Sequence, residues 1–354
     1  DAHSAHSDDF TFLPYVEMMI DYLRDLRWGV APQLVVTPLR RDGAVMLYSH
    51  ASMRASEWDE RLSSPTESMD AFIGFCYRTG LGVEFAGRKT LDRIKDARVL
   101  LLFGASSLTP AEIDAVRAFV DGGGLAIADC NPALMSACMT TNAVNPLAGL
   151  FGDMTYDTLP GFTLAPLDLP GFKAAKVKQR QGAPLFQRRK VGKGETILLN
   201  FTLATAAETA ASREAFDAFL LNLLAERGIA RRFTIAGDPL QKQIFRVREG
   251  EGFDLIGLVT ATQDRGKRVT LDLGGAPRFI YAVNKGPAGR SDKIEIPKLE
   301  IPFVLYSLFE TEQAPPPVTL SGDALAPGEA VALDLRPLRK GCIYLLSVAA
   351  PGGG

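Results

Sequence analysis

Between Ala97 and Asn131 the chain reads ARVLLLFGASSLTPAEIDAVRAFVDGGGLAIADCN, and no other stretch constrains the fold as strongly. From Arg98 to Phe103 the sequence is an apolar run, which suits a parallel strand covered on both faces. Thr109, Pro110 and Glu112 form a capping box with proline at the first helical position. Ile113, Val116, Phe119 and Val120 then recur at helical spacing, so one stripe of the helix faces a sheet. Gly122 to Gly124 supply the left-handed backbone that ends the helix, and Leu125 to Asp129 read as a second buried strand. A βαβ unit of this kind commits the surrounding sequence to an α/β core.

The flanking sequence extends the alternation. Phe10 to Val36 reads as one amphipathic helical stretch broken at Pro32 and Pro38, and Asp42-Gly43 marks a turn into a strand at Ala44 to Tyr48. Ser49 to Ser63 reads as a polar loop, after which Ser64-Pro65-Thr66-Glu67 caps a helix running to Gly80. A strand at Gly82 to Phe85 and a short helix at Thr90 to Asp96 lead into the βαβ unit, completing the pattern of a doubly wound, flavodoxin-like sheet. Asn145-Pro146 opens a short helix to Phe151, while Asp153 to Gly182 is rich in Pro, Gly and Leu without clear period. Pro184 to Arg189 and Glu195 to Asn200 flank a Val-Gly-Lys-Gly turn and read as a hairpin, followed by a helix from Ser212 to Arg227.

Beyond Arg232 the helical signal ends. Short alternating strands are expected at Gln243–Arg248, Phe253–Thr260, Arg268–Leu273, Phe279–Val283, Ile294–Ile296, Phe303–Phe309, Ala330–Leu335 and Cys342–Val348, with a proline-rich loop at Ala314 to Pro317. That spacing predicts an antiparallel β-sandwich. The expected domains are a helical linker over 1–42, an α/β domain over 43–230 and the sandwich over 231–354.

With 39 basic and 41 acidic residues the chain carries a net charge of −2, which offers no field to attract nucleic acid or an anionic membrane. No apolar run is long enough to cross a bilayer. The four cysteines lack CxxC spacing, so neither a disulfide scaffold nor a zinc site is expected, and no cofactor or metal is implied. The first residue is Asp rather than Met and no leader pattern follows, so the chain reads as cut from something longer.

Cys130 is the sharpest catalytic candidate, because it follows a buried strand where a nucleophile elbow would expose it. A reactive thiol needs a histidine, yet His3, His6 and His50 all precede it and Asp129 and Asn131-Pro132 lack the elbow's glycines. A buried structural thiol is the better reading. Gly192-Lys193-Gly194-Glu195 lacks the spacing and the Ser/Thr of a phosphate loop and is a hairpin turn. Carboxylate spacing shows no catalytic pair. What remains is a candidate ligand pocket at the strand carboxyl ends, from Ser49, His50, Ser106, Ser107 and Cys130. Met53 and Trp58 of one loop, with Leu134 and Met135 of another, are candidates for an apolar interface on the same rim.

The phrases AVMLYSHASMRAS (44–56), ARVLLLFGASSLTPAEIDAVRAFVDGGGLAIAD (97–129), NPLAGLFGD (145–153) and VGKGETILLNF (191–201) resemble the C-terminal half of glycoside hydrolase family 42 β-galactosidases. In that family a catalytic barrel precedes a class I glutamine amidotransferase-like trimerisation domain and a small β-sandwich. The resemblance implies a non-catalytic oligomerisation or accessory region, assembled as a homo-oligomer, a trimer by analogy, or docked to a catalytic barrel. The family's two catalytic glutamates belong to the barrel, so none is carried onto this sequence. The alternatives from the residues alone are a free-standing amidotransferase-like domain that binds a small ligand, and a hydrolase using Cys130.

Overall fold

The computed structural model describes residues 16, 23, 27, 30–59, 62, 64–129, 132–152, 186–199, 201–203, 210–283, 286–300, 303–313, 319–320 and 333–334. Two compact units emerge, one formed by Arg41–Arg231 and the other by Asp1–Arg40 with Arg232–Gly354.

The chain enters through helix α1 (Ala31–Val36), with Pro32 in its first turn, where a missing N–H costs nothing. Val30 before α1 is also helical (φ −73°, ψ −48°), as are the described residues Val16, Leu23 and Arg27, so Pro32 does not mark where the helical segment starts. The first unit then runs β1 (Ala44–Leu47), α2 (His50–Trp58), α3 (Pro65–Thr79), β2 (Glu84–Ala86), a 3₁₀ turn (Leu91–Asp96), β3 (Val99–Leu102), α4 (Pro110–Asp121), β4 (Leu125–Asp129), α5 (Ala148–Phe151), β5 (Phe186–Val191), β6 (Gly194–Leu199) and α6 (Ala210–Ala225). These strands form one sheet in the order β2-β1-β3-β4-β6-β5, parallel throughout except for the β5/β6 hairpin.

Alternate residues of the central strands point to opposite faces, and each face has its own core. Met46, Leu101, Ile127 and Ile197 pack with Phe72 and Phe75 of α3 and Phe216 and Leu220 of α6. Val45, Leu100, Leu102 and Ala126 pack with Val116 and Val120 of α4 and Leu150 of α5. Every residue of β1, β3 and β4 is buried, as the apolar runs predict. The full capping box of Thr109 and Glu112 forms at α4, whereas at α3 only Ser64 accepts from Glu67 N. Gly123, at φ +104°, supplies the left-handed turn after α4. Gly194 is required for close approach, because a Cβ there would lie 2.0 Å from the Val120 carbonyl oxygen.

One expected loop is a helix. Ser49 to Ser63 contains α2, started by the Ser49 side chain accepting from Ser52 N, and its buried residues Ala51, Ser52 and Ala55 are small. A face made of alanine and serine carries no hydrophobic period, so the pattern reads as polar loop. The second strand also starts later than expected, at Glu84.

From Arg232 onward the other unit is almost entirely β, its described residues there holding one 3₁₀ turn (Thr262–Asp264). Besides a short pair at Thr319–Leu320 and Leu333–Asp334, its strands are β7 (Thr234–Gly237), β8 (Gln243–Gly250), β9 (Phe253–Thr260), β10 (Val269–Asp272), β11 (Arg278–Ala282), β12 (Gly286–Ser291), β13 (Lys293–Ile296) and β14 (Phe303–Phe309). They form a five-stranded antiparallel sheet, β8-β9-β14-β11-β12, and a three-stranded one, β13-β10-β7. Phe245, Ile256, Ile280 and Leu308 of the larger sheet share one core with Val269, Leu271, Ile294 and Ile296 of the smaller. Strands β7 and β12 were not expected, the latter because its Gly-Pro-Ala-Gly-Arg-Ser sequence has no apolar alternation and sits at a sheet edge. Asp264 anchors the turn before β10. Burial pushes its carboxyl up, but the N–H groups of Gln241, Lys242 and Ala261 and the Lys267 ammonium outweigh this and hold it at about 2.

The segment read as a linker joins this β unit. Leu39 bridges Arg248, Arg40 N donates to Val247 O at 3.3 Å, and Val30 and Leu34 pack on Phe253, Leu255, Leu305 and Phe309. Of the remaining expectations, Ala330–Leu335 is described only at Leu333–Asp334. Most of Phe10 to Val30, Asp153 to Gly182, Ala314 to Pro317 and Cys342 to Val348 lie outside the described residues.

Candidate functional site

The chain winds outward from β1 to β2, then returns to the far side of β1 as β3, so the winding reverses between β1 and β3. Ligands of α/β sheets gather at the strand carboxyl ends beside such a reversal. The loops that meet there carry four of the five pocket candidates, Ser49 and His50 after β1, and Ser106 and Ser107 after β3.

Most of them are occupied with each other. Ser49 Oγ lies 3.0 Å from Ser107 O and 3.1 Å from Glu112 Oε2, so its single proton serves one acceptor at a time. Ser52 Oγ donates to Ser107 O at 2.6 Å and accepts from Ser107 N at 3.0 Å. Ser107 Oγ donates to Ser136 O at 2.7 Å. Ser49 and Ser107 are thus buried joints between α2, the loop after β3 and α4, not ligand-facing hydroxyls. Ser106 is 6% exposed, and its hydroxyl has no hydrogen-bond partner among the described residues. His50 is exposed, its ring edge-on to Tyr48 at 4.9 Å. Cys130 lies outside the described residues. Cys76 is buried, its thiol donating to Gly82 O at 3.9 Å, and Cys138 is exposed.

The network converges on Glu112, the capping residue of α4. It is 2% exposed, and its Oε2 accepts from Thr109 N at 2.8 Å, Thr109 Oγ1 at 3.0 Å and Ser49 Oγ. His50, Met53, Arg54, Glu57, Arg88 and Glu112 line a cleft of about 510 Å³ at this rim. A second cleft, about 550 Å³, opens at the opposite, amino end of the strands beside Lys95, Arg98 and Phe119.

Asp129 is the last residue of β4. It is 2% exposed and accepts from Gly104 N at 2.6 Å, Leu203 N at 3.0 Å and Ser68 Oγ at 3.5 Å. Its carboxyl therefore ties the loops after β3 and β6 to α3. Burial raises its pKa to about 6 against the opposing pull of those hydrogen bonds.

The interface candidates divide. Leu134 and Met135 are 2% and 6% exposed and pack with Ala55 and Leu62, so they fold back onto their own unit and offer no outer face. Met53 is half-buried, while Trp58 at the end of α2 is 81% exposed. Among the described residues no group of three or more His, Cys, Asp or Glu could hold a metal ion, and no helix is long and apolar enough to cross a membrane.

The sequence matches no known protein family and no curated protein. Its structure is similar to parts of several solved enzymes. The chain aligns over 86% of its length with a catalytic mutant of Gan42B, a GH42 β-galactosidase from G. stearothermophilus, at TM-score 0.62 and 12% identity. The β-galactosidase of Rahnella sp. R3 matches over 86% of this chain at TM-score 0.58 and 12% identity. That of Bacillus circulans sp. alkalophilus matches over 87% at TM-score 0.57 and 14% identity. The matched region is only 45%, 46% and 46% of those three enzymes, so the chain spans less than half their length. At such identities the likeness establishes a shared fold, that of a partial GH42-like region.

Proposed function

We propose that this chain is a non-catalytic oligomerisation and accessory region of a β-galactosidase-like glycoside hydrolase. On this reading residues 43–230 form an amidotransferase-like, flavodoxin-type assembly domain and residues 231–354 a β-sandwich. The observation that carries the reading is the coverage: 86% of this chain corresponds to 45% of a GH42 β-galactosidase. The buried carboxylates of the described residues support it, because each has a local structural role. Glu112 caps α4, Asp129 ties loops, Asp264 holds a turn, and Asp254 lies 3.9 Å from Arg232. Exposed Trp58 supports association, since tryptophan is enriched among interface hot spots.

The direct test is activity of the purified chain on a chromogenic β-galactoside. Hydrolysis should stay at the buffer rate. Turnover that copurifies with the chain and survives removal of contaminating enzymes would contradict the proposal.

A further inference from the structure

The geometry points to the cleft beside His50 as a binding site for a neutral polyhydroxylated ligand, a mono- or disaccharide, held between Glu112 and the guanidinium groups of Arg54 and Arg88. That the polyol is a sugar rests on the accessory role proposed above. The site itself is read from its charges and hydrogen bonds.

Glu112 is the first element. Its Oε2 is taken up by donors from Ser49 and Thr109, and its Oε1 accepts nothing from the described residues, although the side chain is 2% exposed and lines the cleft. That oxygen opens to the cleft, so its donor comes from water or ligand. A hydroxyl entering the cleft supplies it. The two Thr109 donors on Oε2 hold the carboxylate in place before any ligand arrives, so little ordering cost falls on binding.

The cations are the second element. Arg54 on α2 and Arg88 after β2 are both exposed and have no ion pair or hydrogen bond among the described residues. Their planar forks present several N–H donors to hydroxyl and ring oxygens. Charge balance then selects the ligand. Two arginines stand against Glu57 and Glu112, so a phosphate would be set against carboxylates and a polyamine against guanidinium groups. A neutral polyol donates to one set and accepts from the other. Met53 adds an apolar contact for a sugar's C–H face. The volume, about 510 Å³, lies within the span of about 300–1,000 Å³ that small-molecule sites occupy.

Calorimetric titration of the full chain with lactose and galactose tests this, with glycine and inorganic phosphate titrated alongside. The expected result is saturable binding of at least one sugar at roughly millimolar Kd, weakened at least tenfold in the Arg54→Ala/Arg88→Ala double variant. Glu112→Gln should weaken it similarly, and because glutamine also serves the third position of a capping box, helix α4 should remain intact. The inference is overturned if neither sugar binds, if the arginine double variant binds as the parent does, or if glycine or phosphate binds more tightly than both sugars. Light scattering on the same samples separates the two proposals. A monomer that binds lactose refutes assembly and leaves the site standing, whereas an oligomer blind to both sugars does the reverse.

Discussion

Asp129 illustrates how one side chain can hold a sheet's working edge together. Its carboxyl is raised to about 6, above the usual carboxylate range, so the folded state holds a proton that the unfolded chain releases near pH 4. The sign follows. The contribution of Asp129 to stability is full below about pH 4 and is lost as pH rises through about 6, a change of roughly 3 kcal/mol. In Asp129→Asn one of the Gly104 and Leu203 N–H groups loses its acceptor, so the variant should be less stable in acid, yet lack this loss between pH 4 and 7. Urea unfolding across that range measures it, and parallel pH profiles for the two proteins would contradict the assignment. Neither the role of Asp129 nor that of Glu112 was legible in sequence. Asp129 ends an apolar run as any surface residue ends a strand, and its partners are backbone groups 25 and 74 residues away. Glu112 was legible as a helix cap but not as the wall of a cleft, because Ser49, which also bonds it, is 63 residues distant.

At the scale of elements, the readable signals were those with both a period and a cap. Helix α4 begins and ends where the capping box and the glycines place it, and β9 and β14 match their apolar runs to the residue. Helix α3 shares this legibility, and its Ser64 cap, accepting from Glu67 N at 3.3 Å, should be worth about 1 kcal/mol. Ser64→Ala should lower the denaturant midpoint accordingly and leave the m-value unchanged. A shift in m would point instead to a changed unfolded state or a loss of two-state behaviour. Helix α2 escaped notice because small residues bury its inner face and its outer end carries an exposed tryptophan. That end is the part of the interface reading still available after Leu134 and Met135 turned inward. Trp58→Ala should change folding stability by no more than about 0.5 kcal/mol. The same variant should weaken self-association by about 2 kcal/mol or more, roughly thirtyfold in Kd. Sedimentation across a dilution series reads the second effect and thermal unfolding of dilute protein the first. Equal association in variant and parent would remove Trp58 from the interface.

At the scale of the whole chain, alternating strand and helix signals foretold a parallel sheet, and strand-only signals foretold the antiparallel sheets beyond Arg232. The allegiance of the N-terminal segment was not legible. A bridge from Leu39 to Arg248 and the packing of Leu34 on Phe253 join residues more than 200 positions apart, and no local pattern announces them. Assembly is the central functional proposal for this chain. Multi-angle light scattering of the purified chain at roughly 100 μM tests it most directly, since interfaces of standard size hold well below that concentration. The parent chain should run as a single species at three times the chain mass, or another closed oligomer, and Trp58→Ala should shift its dissociation on dilution to roughly thirtyfold higher concentration. A homogeneous monomer for the parent chain at that concentration would contradict it.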